Sequence, residues 1–278
     1  ENTLNSGWIL TDIQGYSQLN LNDFVVKENK FTDGTLNQKI LFLNGSTASI
    51  DSLHYTNNTE GTPQNIIYTD SSVINMTNSK VSFSAFLGQN QHATKFYIYA
   101  SKFSANNFTL NNCTIRDTFD DLTTSFYFES SQIELNDIIA TENTYFGWVL
   151  ISMRDTEMTA NNVTFFRNIL QIDIGTPLRM VLVNGIGTYV FNYVNISNNS
   201  DIGEEFIDIY DSYWDDCNYF RIDTYDAQVY ANDVFYIGNQ IQTASITFTR
   251  ANNIVFTNLV LLDNVVVVDW LVESYAPT

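Results

Sequence analysis

IELNDIIATEN at 133–143 and LNLNDFVVKEN at 19–29 are two copies of one pattern: apolar, x, apolar, Asn/Asp, x, apolar, x, apolar or small, x, x, Asn. SIDSLHYTNN at 49–58, LNNCTIRDT at 110–118, MTANNVTFFRN at 158–168, YVFNYVNISNN at 189–199, VYANDVFYIGN at 229–239 and IVFTNLVLLDN at 254–264 repeat it, with a degenerate VSFSAFLGQNQ at 81–91. Self-similarity at a period of 20–50 residues marks a solenoid or array, so it outranks any local reading.

Aligned on the first polar position, the copies give a column Asn22, Asp51, Ser84, Asn111, Asn136, Asn161, Asn192, Asn232 and Thr257, at spacings of 29, 33, 27, 25, 25, 31, 40 and 25. Seven positions later stands a second column, Asn29, Asn58, Gln91, Thr118, Asn143, Asn168, Asn199, Asn239 and Asn264, in which seven of nine are Asn. Two residues past the first column, Phe24, Leu53, Phe86, Cys113, Ile138, Val163, Val194, Val234 and Leu259 form an inward column. After a variable polar stretch each copy meets a further apolar strand, such as KILFL at 39–43, KFYIYAS at 95–101, SFYFESS at 125–131 and GWVLISM at 147–153.

Strand side chains alternate between faces, yet the apolar positions change parity across the first Asn/Asp. That shift needs a sharp bend, and Asn or Asp tolerates the left-handed backbone a bend requires. Short strands bent the same way and repeated at about 25 residues stack coil upon coil. The expectation is an all-β, single-stranded parallel β-helix of about nine coils, one domain over 1–278, with Asn residues hydrogen-bonded in ladders along its axis.

The pattern resembles the right-handed parallel β-helix family over nearly the whole chain. FFRN at 165–168 is similar to the repeats of polymorphic outer-membrane adhesins, although their Gly-Gly-Ala-Ile element is absent. Resemblance to β-helical pectin-degrading enzymes implies polysaccharide lyase or hydrolase activity as the enzymatic alternative. Asp208, Asp211, Asp215 and Asp216 in EFIDIYDSYWDD, in the longest coil, are its carboxylates, with a two-carboxylate or Ca²⁺ site in view. The GHG and RIK signatures of the hydrolases are missing, RID at 221–223 is a poor substitute, and no catalytic residue is assigned.

Composition narrows the function classes. Twelve Lys and Arg against thirty-one Asp and Glu give a formal charge of −19, which repels phosphate backbones, so nucleic acid is not an expected partner. The most apolar run, Val265 to Val268, lies between Asp263 and Asp269 and is far too short to span a bilayer. The chain opens at Glu1 without a basic-then-apolar leader, as a processed or excised segment does. Eight Asn-x-Ser/Thr sequons stand at Asn44, Asn57, Asn75, Asn107, Asn112, Asn162, Asn195 and Asn198, and with scarce charge they point to a secreted or cell-surface glycoprotein carrying N-linked glycans.

His54 falls at an outward strand position and His92 in a turn, neither beside a nucleophile. Cys113 reads as a buried inert thiol, and Cys217 is too many coils away to bridge to it. Tyr210, Tyr213 and Trp214 are the aromatics a surface carbohydrate would stack on. SGWILTD at 6–12 resembles GWVLISM at 147–153, and VVVVDWLVES at 265–274 is the same kind of strand, so the ends share a phase. Uncapped ends expose unpaired backbone and an apolar disc, so either the chain is a segment of a longer β-helix or, the expectation preferred, copies associate end to end into a filament or matrix subunit without a cofactor; a carbohydrate-binding adhesin is the alternative.

Overall fold

The computed structural model describes residues 2–4, 11–31, 38–60, 64–88, 95–117, 124–146, 149–171, 179–201, 218–223, 227–241, 246–249, 253–266 and 272–275. Every strand pairing among them is parallel, and strands bond to the equivalent strand one coil on: Gln132–Thr141 lies between Lys102–Asn111 and Glu157–Phe166. Three sheets result. The first and second hold ten strands each and the third twelve. The chain is a parallel β-helix. Six stretches, 38–60, 64–88, 95–117, 124–146, 149–171 and 179–201, carry the coil from second sheet through third to first without interruption.

The parity change predicted from sequence is visible in Gln132–Thr141, which alternates exposed and buried up to Asn136 and resumes one step out of phase after Asp137. The hinge is not the Asn. Asn136 is extended and pairs with Asn161 in the next coil, whereas the residue after each carries the left-handed backbone: Asp137 at φ 55° and Asn162 at 55°. Asp23, Ser52, Tyr193 and Asp233 do the same after Asn22, Asp51, Asn192 and Asn232. A second hinge lies one residue before the second Asn column, at Glu28, Asn57, Glu142, Arg167, Asn198, Gly238 and Asp263. This row includes Glu and Arg, so an Asn preference for positive φ does not explain the column beside it.

Two coils also require realignment. Asp51 pairs with Thr77, Thr77 with Asn106, and Asn106 with Asn136, so Ser84 and Asn111 do not belong to the first column. Ser84 and Cys113 instead occupy the second column, where Gln91 and Thr118 were expected: Ala85 pairs with Thr59 and with Thr114, and Thr114 with Thr144. The inward residues of these coils become Ser79 and Phe108 in place of Phe86 and Cys113, since Phe108 pairs with Ser79 and with Ile138. The sequence alignment slipped because neither coil has Asn in the second column, and the more conspicuous Asn111 and Ser84 captured the register.

Most variation in coil length falls at one corner, between the first sheet and the following second-sheet strand, where 61–63, 89–94, 118–123, 147–148, 172–178 and 202–217 fall in the sequence; the corner between second and third sheets varies by only a residue or two, as between Arg154–Met158 and Asn184–Tyr189. The rest of the coil keeps near-constant length, which lets side chains stack in register through the core. Phe96 and Phe126 stack at 4.7 Å between centroids, and Phe108 meets both edge-on at 5.4 and 5.3 Å. Each such fully buried ring stabilises the fold by about 1.5–3 kcal/mol.

Candidate functional site: ladders, sequons and the outer faces

The second-column asparagines point inward. Asn58, Asn143, Asn168, Asn199 and Asn239 are buried, and Asn29 and Asn264 are half-buried. Asn168 shows the wiring. Its Oδ1 accepts the Asn143 backbone N–H at 3.1 Å and the Asn143 Nδ2–H at 3.0 Å, and its Nδ2 donates to Asn199 Oδ1 at 3.1 Å and to the Ala140 carbonyl at 2.9 Å. All four hydrogen-bonding positions of the amide are filled by protein. Asn199 and Asn239 repeat the arrangement, ending on Asn264, and Asn29 with Asn58 forms a separate rung. Between the two runs the column holds Ser84, which accepts from Asn58 N–H at 3.2 Å, and Cys113, whose N–H donates to Asn143 Oδ1 at 2.9 Å.

The first column makes a second, half-buried ladder on the outside. Asn161 donates to Asn136, Asn192 to Asn161 and Asn232 to Asn192 at 2.7–2.8 Å, with Thr257 donating to Asn232 at 2.6 Å. Asn22 is exposed at the end of Gln18–Asn22, and Asn111 ends Lys102–Asn111 in register with Thr141.

A third ladder had no counterpart in the sequence reading. Ser46, Ser72, Ser101, Ser131 and Thr156 line the buried corner between second and third sheets. Ser72, Ser101 and Ser131 each take the backbone N–H of the ladder residue one coil before, as Ser72 N–H to Ser101 Oγ at 3.0 Å and Ser101 N–H to Ser131 Oγ at 3.1 Å. The hydroxyl of each donates to the carbonyl two residues back, as Ser101 does to Tyr99 at 2.6 Å. The next coil lacks a Ser there, and Tyr189 Oη accepts Thr156 N–H at 3.3 Å instead. Burial pushes the Tyr189 phenol up to about 12. The detectable signal was a Ser or Thr twelve residues before each of Asn29, Asn58, Ser84, Cys113, Asn143 and Asn168, diluted by the many other Ser and Thr residues.

All eight sequon asparagines lie on the outside. Asn57, Asn112 and Asn198 occupy the second hinge row and Asn107 and Asn162 the first, all exposed and all left-handed. Asn195 is half-exposed between the two hinges, Asn75 is exposed on the first half of its third-sheet strand, and Asn44 is exposed at the end of Gln38–Asn44. Asn107 donates to Asn78 and Asn162 to Asp137, bonds that leave the amides at the surface.

The second sheet carries an outward aromatic row that sequence reasoning also missed. Tyr68, Tyr97 and Tyr127 stack at 4.8 and 5.1 Å, Phe42 tilts onto Tyr68 at 5.4 Å, and the Lys39 ammonium sits 3.5 Å from the Tyr68 centroid. Partial burial raises all three phenols, and the neighbouring Glu129 carboxylate adds to the effect at Tyr97 and Tyr127. Rings stacked face to face turn only their edges outward, so this row is packing rather than a platform for flat ligands.

His54 is exposed on its strand, and Cys113 is buried. The RID residues 221–223 lie in the second-sheet strand Asn218–Asp223. Asp208, Asp211, Asp215, Asp216, Tyr210, Tyr213, Trp214, Cys217 and His92 lie outside the described residues. Among the described residues, no group of three or more His, Cys, Asp or Glu is placed to hold a metal ion, and no helix is long and apolar enough to cross a membrane.

No protein-family model matches the sequence, and no curated protein does. A solved structure described as the Streptococcus pneumoniae surface protein and adhesin PfbA aligns over 99% of this chain and 90% of that one, at 9% identity and a TM-score of 0.37. So remote a likeness carries no argument about function, and the fold stands on the strand pairing above.

Proposed function

We propose that this chain is one right-handed β-helix domain of about nine coils over 1–278 that works as an exported structural glycoprotein, assembling end to end as a filament or cell-surface subunit. The observation that carries this reading is the state of the core at its two ends. Inward residues in the middle coils are buried, as Ile138 and Val163 are. Their counterparts Leu19, Leu21 and Phe24 at one end, and Ile254, Phe256, Leu259 and Leu261 at the other, are only half-covered. Among the described residues the third-sheet strands at both ends pair on one side only, and a further coil, whether of a longer chain or of a second copy, would continue the sheets there.

The interior supports a mechanical role: an amide ladder from Asn143 to Asn264 and a hydroxyl ladder from Ser46 to Ser131 resist shear between coils, and no catalytic step and no cofactor are assigned. The surface supports export, because every sequon amide is reachable by solvent and the excess of acidic groups keeps rods from clumping side by side. Light scattering coupled to size-exclusion chromatography, with electron microscopy of the same sample, tests the assembly. Concentration-dependent rods or fibres are expected, and a strictly monomeric species at high concentration refutes self-association.

A further inference from the structure

The outer face of the third sheet holds a groove of about 800 Å³ that runs along the rod. Its floor is the outward part of the strands before the first hinge. One row reads Asn75, Ser104, Glu134, Thr159, and the parallel row includes Lys102 and Gln132. From Asn75 to the Val190 coil is four strand steps, about 19 Å at the usual spacing. Asn75 is the asparagine of the sequon Asn75-Met76-Thr77, and its exposed side chain stands at one end of the groove, with the floor extending away from it in one direction.

We propose that the groove is the seat of the chain's own N-linked glycan at Asn75, which lies along the axis over Ser104, Gln132 and Glu134. This rests on the glycoprotein reading and adds a location, a ligand class and a function as a saccharide-covered face. Three features select this occupant. Between the aliphatic Val73 and Val190 the floor offers hydroxyl, amide and carboxylate groups, the donors and acceptors that sugar hydroxyls and N-acetyl amides satisfy. Its one ammonium, Lys102, is set against Glu134 and Glu157, so a neutral glycan fits and an acidic polysaccharide is repelled. The one aromatic residue of the lining, Phe103, is buried beneath the sheet, and without an exposed stacking platform an open, hydrated groove binds a free saccharide weakly. A tethered one is held at an effective concentration in the millimolar range and needs no more affinity than that.

The test uses the full chain secreted from a host that attaches neutral oligomannose glycans. The native protein is treated with an endoglycosidase, and release at each site is followed by glycopeptide mass spectrometry. The Asn75 glycan should be cleaved at least tenfold more slowly than those at Asn107 and Asn162, which stand on open hinges. Combined Gln132→Ala and Glu134→Ala substitutions, both at exposed positions, should bring the Asn75 rate to within twofold of the others. Equal rates in the parent protein overturn the proposal, as does an empty Asn75 beside occupied Asn107 and Asn162, and both leave the glycoprotein reading standing. Absence of glycan at every sequon overturns both.

Discussion

Replacing Asn168 by Ala should cost this fold more than any loss of buried apolar surface at that position explains. The amide of Asn168 holds two donors of the neighbouring coil, the Asn143 backbone N–H and one Asn143 Nδ2–H, and supplies a donor to the Ala140 carbonyl. Asn143 is wholly buried, so water does not replace what is removed. An orphaned buried donor costs about 1–3 kcal/mol, which puts two of them at about 2–6 kcal/mol before the smaller loss at the carbonyl. Asn199 Oδ1 keeps one partner, the Asn168 backbone N–H at 2.8 Å, so the damage stays within one rung. Asn161→Ala on the half-buried outer ladder is the control, because solvent reaches that amide, and about 0.5–1.5 kcal/mol is expected there. Asn168→Asp sharpens the test. A carboxylate still accepts from Asn143 but faces the Ala140 carbonyl and Asn199 Oδ1 with a lone pair in place of a donor. It folds well only when protonated, so its folded pKa rises, and stability present in acid is lost as pH climbs through that raised value. Urea unfolding followed by circular dichroism should therefore show Asp about as damaging as Ala at pH 7 and partly restored near pH 4. Unfolding free energies within 1 kcal/mol of the parent for both variants at pH 7 would refute the ladder as a stabilising device.

Gly187→Ala should destabilise by more than 2 kcal/mol in the same assay, because a Cβ there would stand 2.1 Å from the Thr156 carbonyl oxygen, a backbone atom with no room to move. Ser84→Asn should extend the Asn29–Asn58 rung by one coil and stabilise by about 1 kcal/mol, since Ser84 already accepts the Asn58 N–H that an inward amide would take; a loss greater than 1 kcal/mol counts against it. Stability should fall between about pH 10, where an unfolded tyrosine ionises, and about 12, where Tyr189 does in the folded chain. The phenol is favoured in the fold, so its contribution is complete below the lower value and gone above the upper one. Tyr189→Phe should flatten the decline, and an unchanged alkaline profile in that variant would show the burial of the hydroxyl to be without consequence.

The architecture was legible because the repeat is self-consistent: where Asn appears in both columns, the spacing between them fixes register, and Asn136 lies beside Asn161 as read. Register failed in the coils of Ser84 and Cys113, where the column residue is not Asn and joins the ladder through the Ser84 hydroxyl and the Cys113 backbone N–H. The reason for the asparagines was misread in an instructive way. A turn preference and an inward amide ladder predict Asn at nearly the same positions, and they differ by one residue. The sequence holds the discriminating fact in Arg167 and Glu142, which take the left-handed hinge that an Asn preference would have reserved.

The same one-residue distinction separates what the rod does inside from what it offers outside. A hinge residue points away from the core and is free to vary, and there the sequons at Asn57, Asn107, Asn112, Asn162 and Asn198 fall; in the second hinge row its neighbour points in, and at Asn199 that neighbour is held by the ladder. Because the hinge is required at every coil while its side chain is not, glycan attachment accumulates there without disturbing the stack. Asn75 departs from this rule, standing in mid-strand over a groove where a glycan would meet the sheet itself. Site-resolved glycosidase rates therefore separate two physical situations that sequon counting treats as one: sugars raised on hinges into solvent, and a sugar laid along the coils that would stiffen the face it covers.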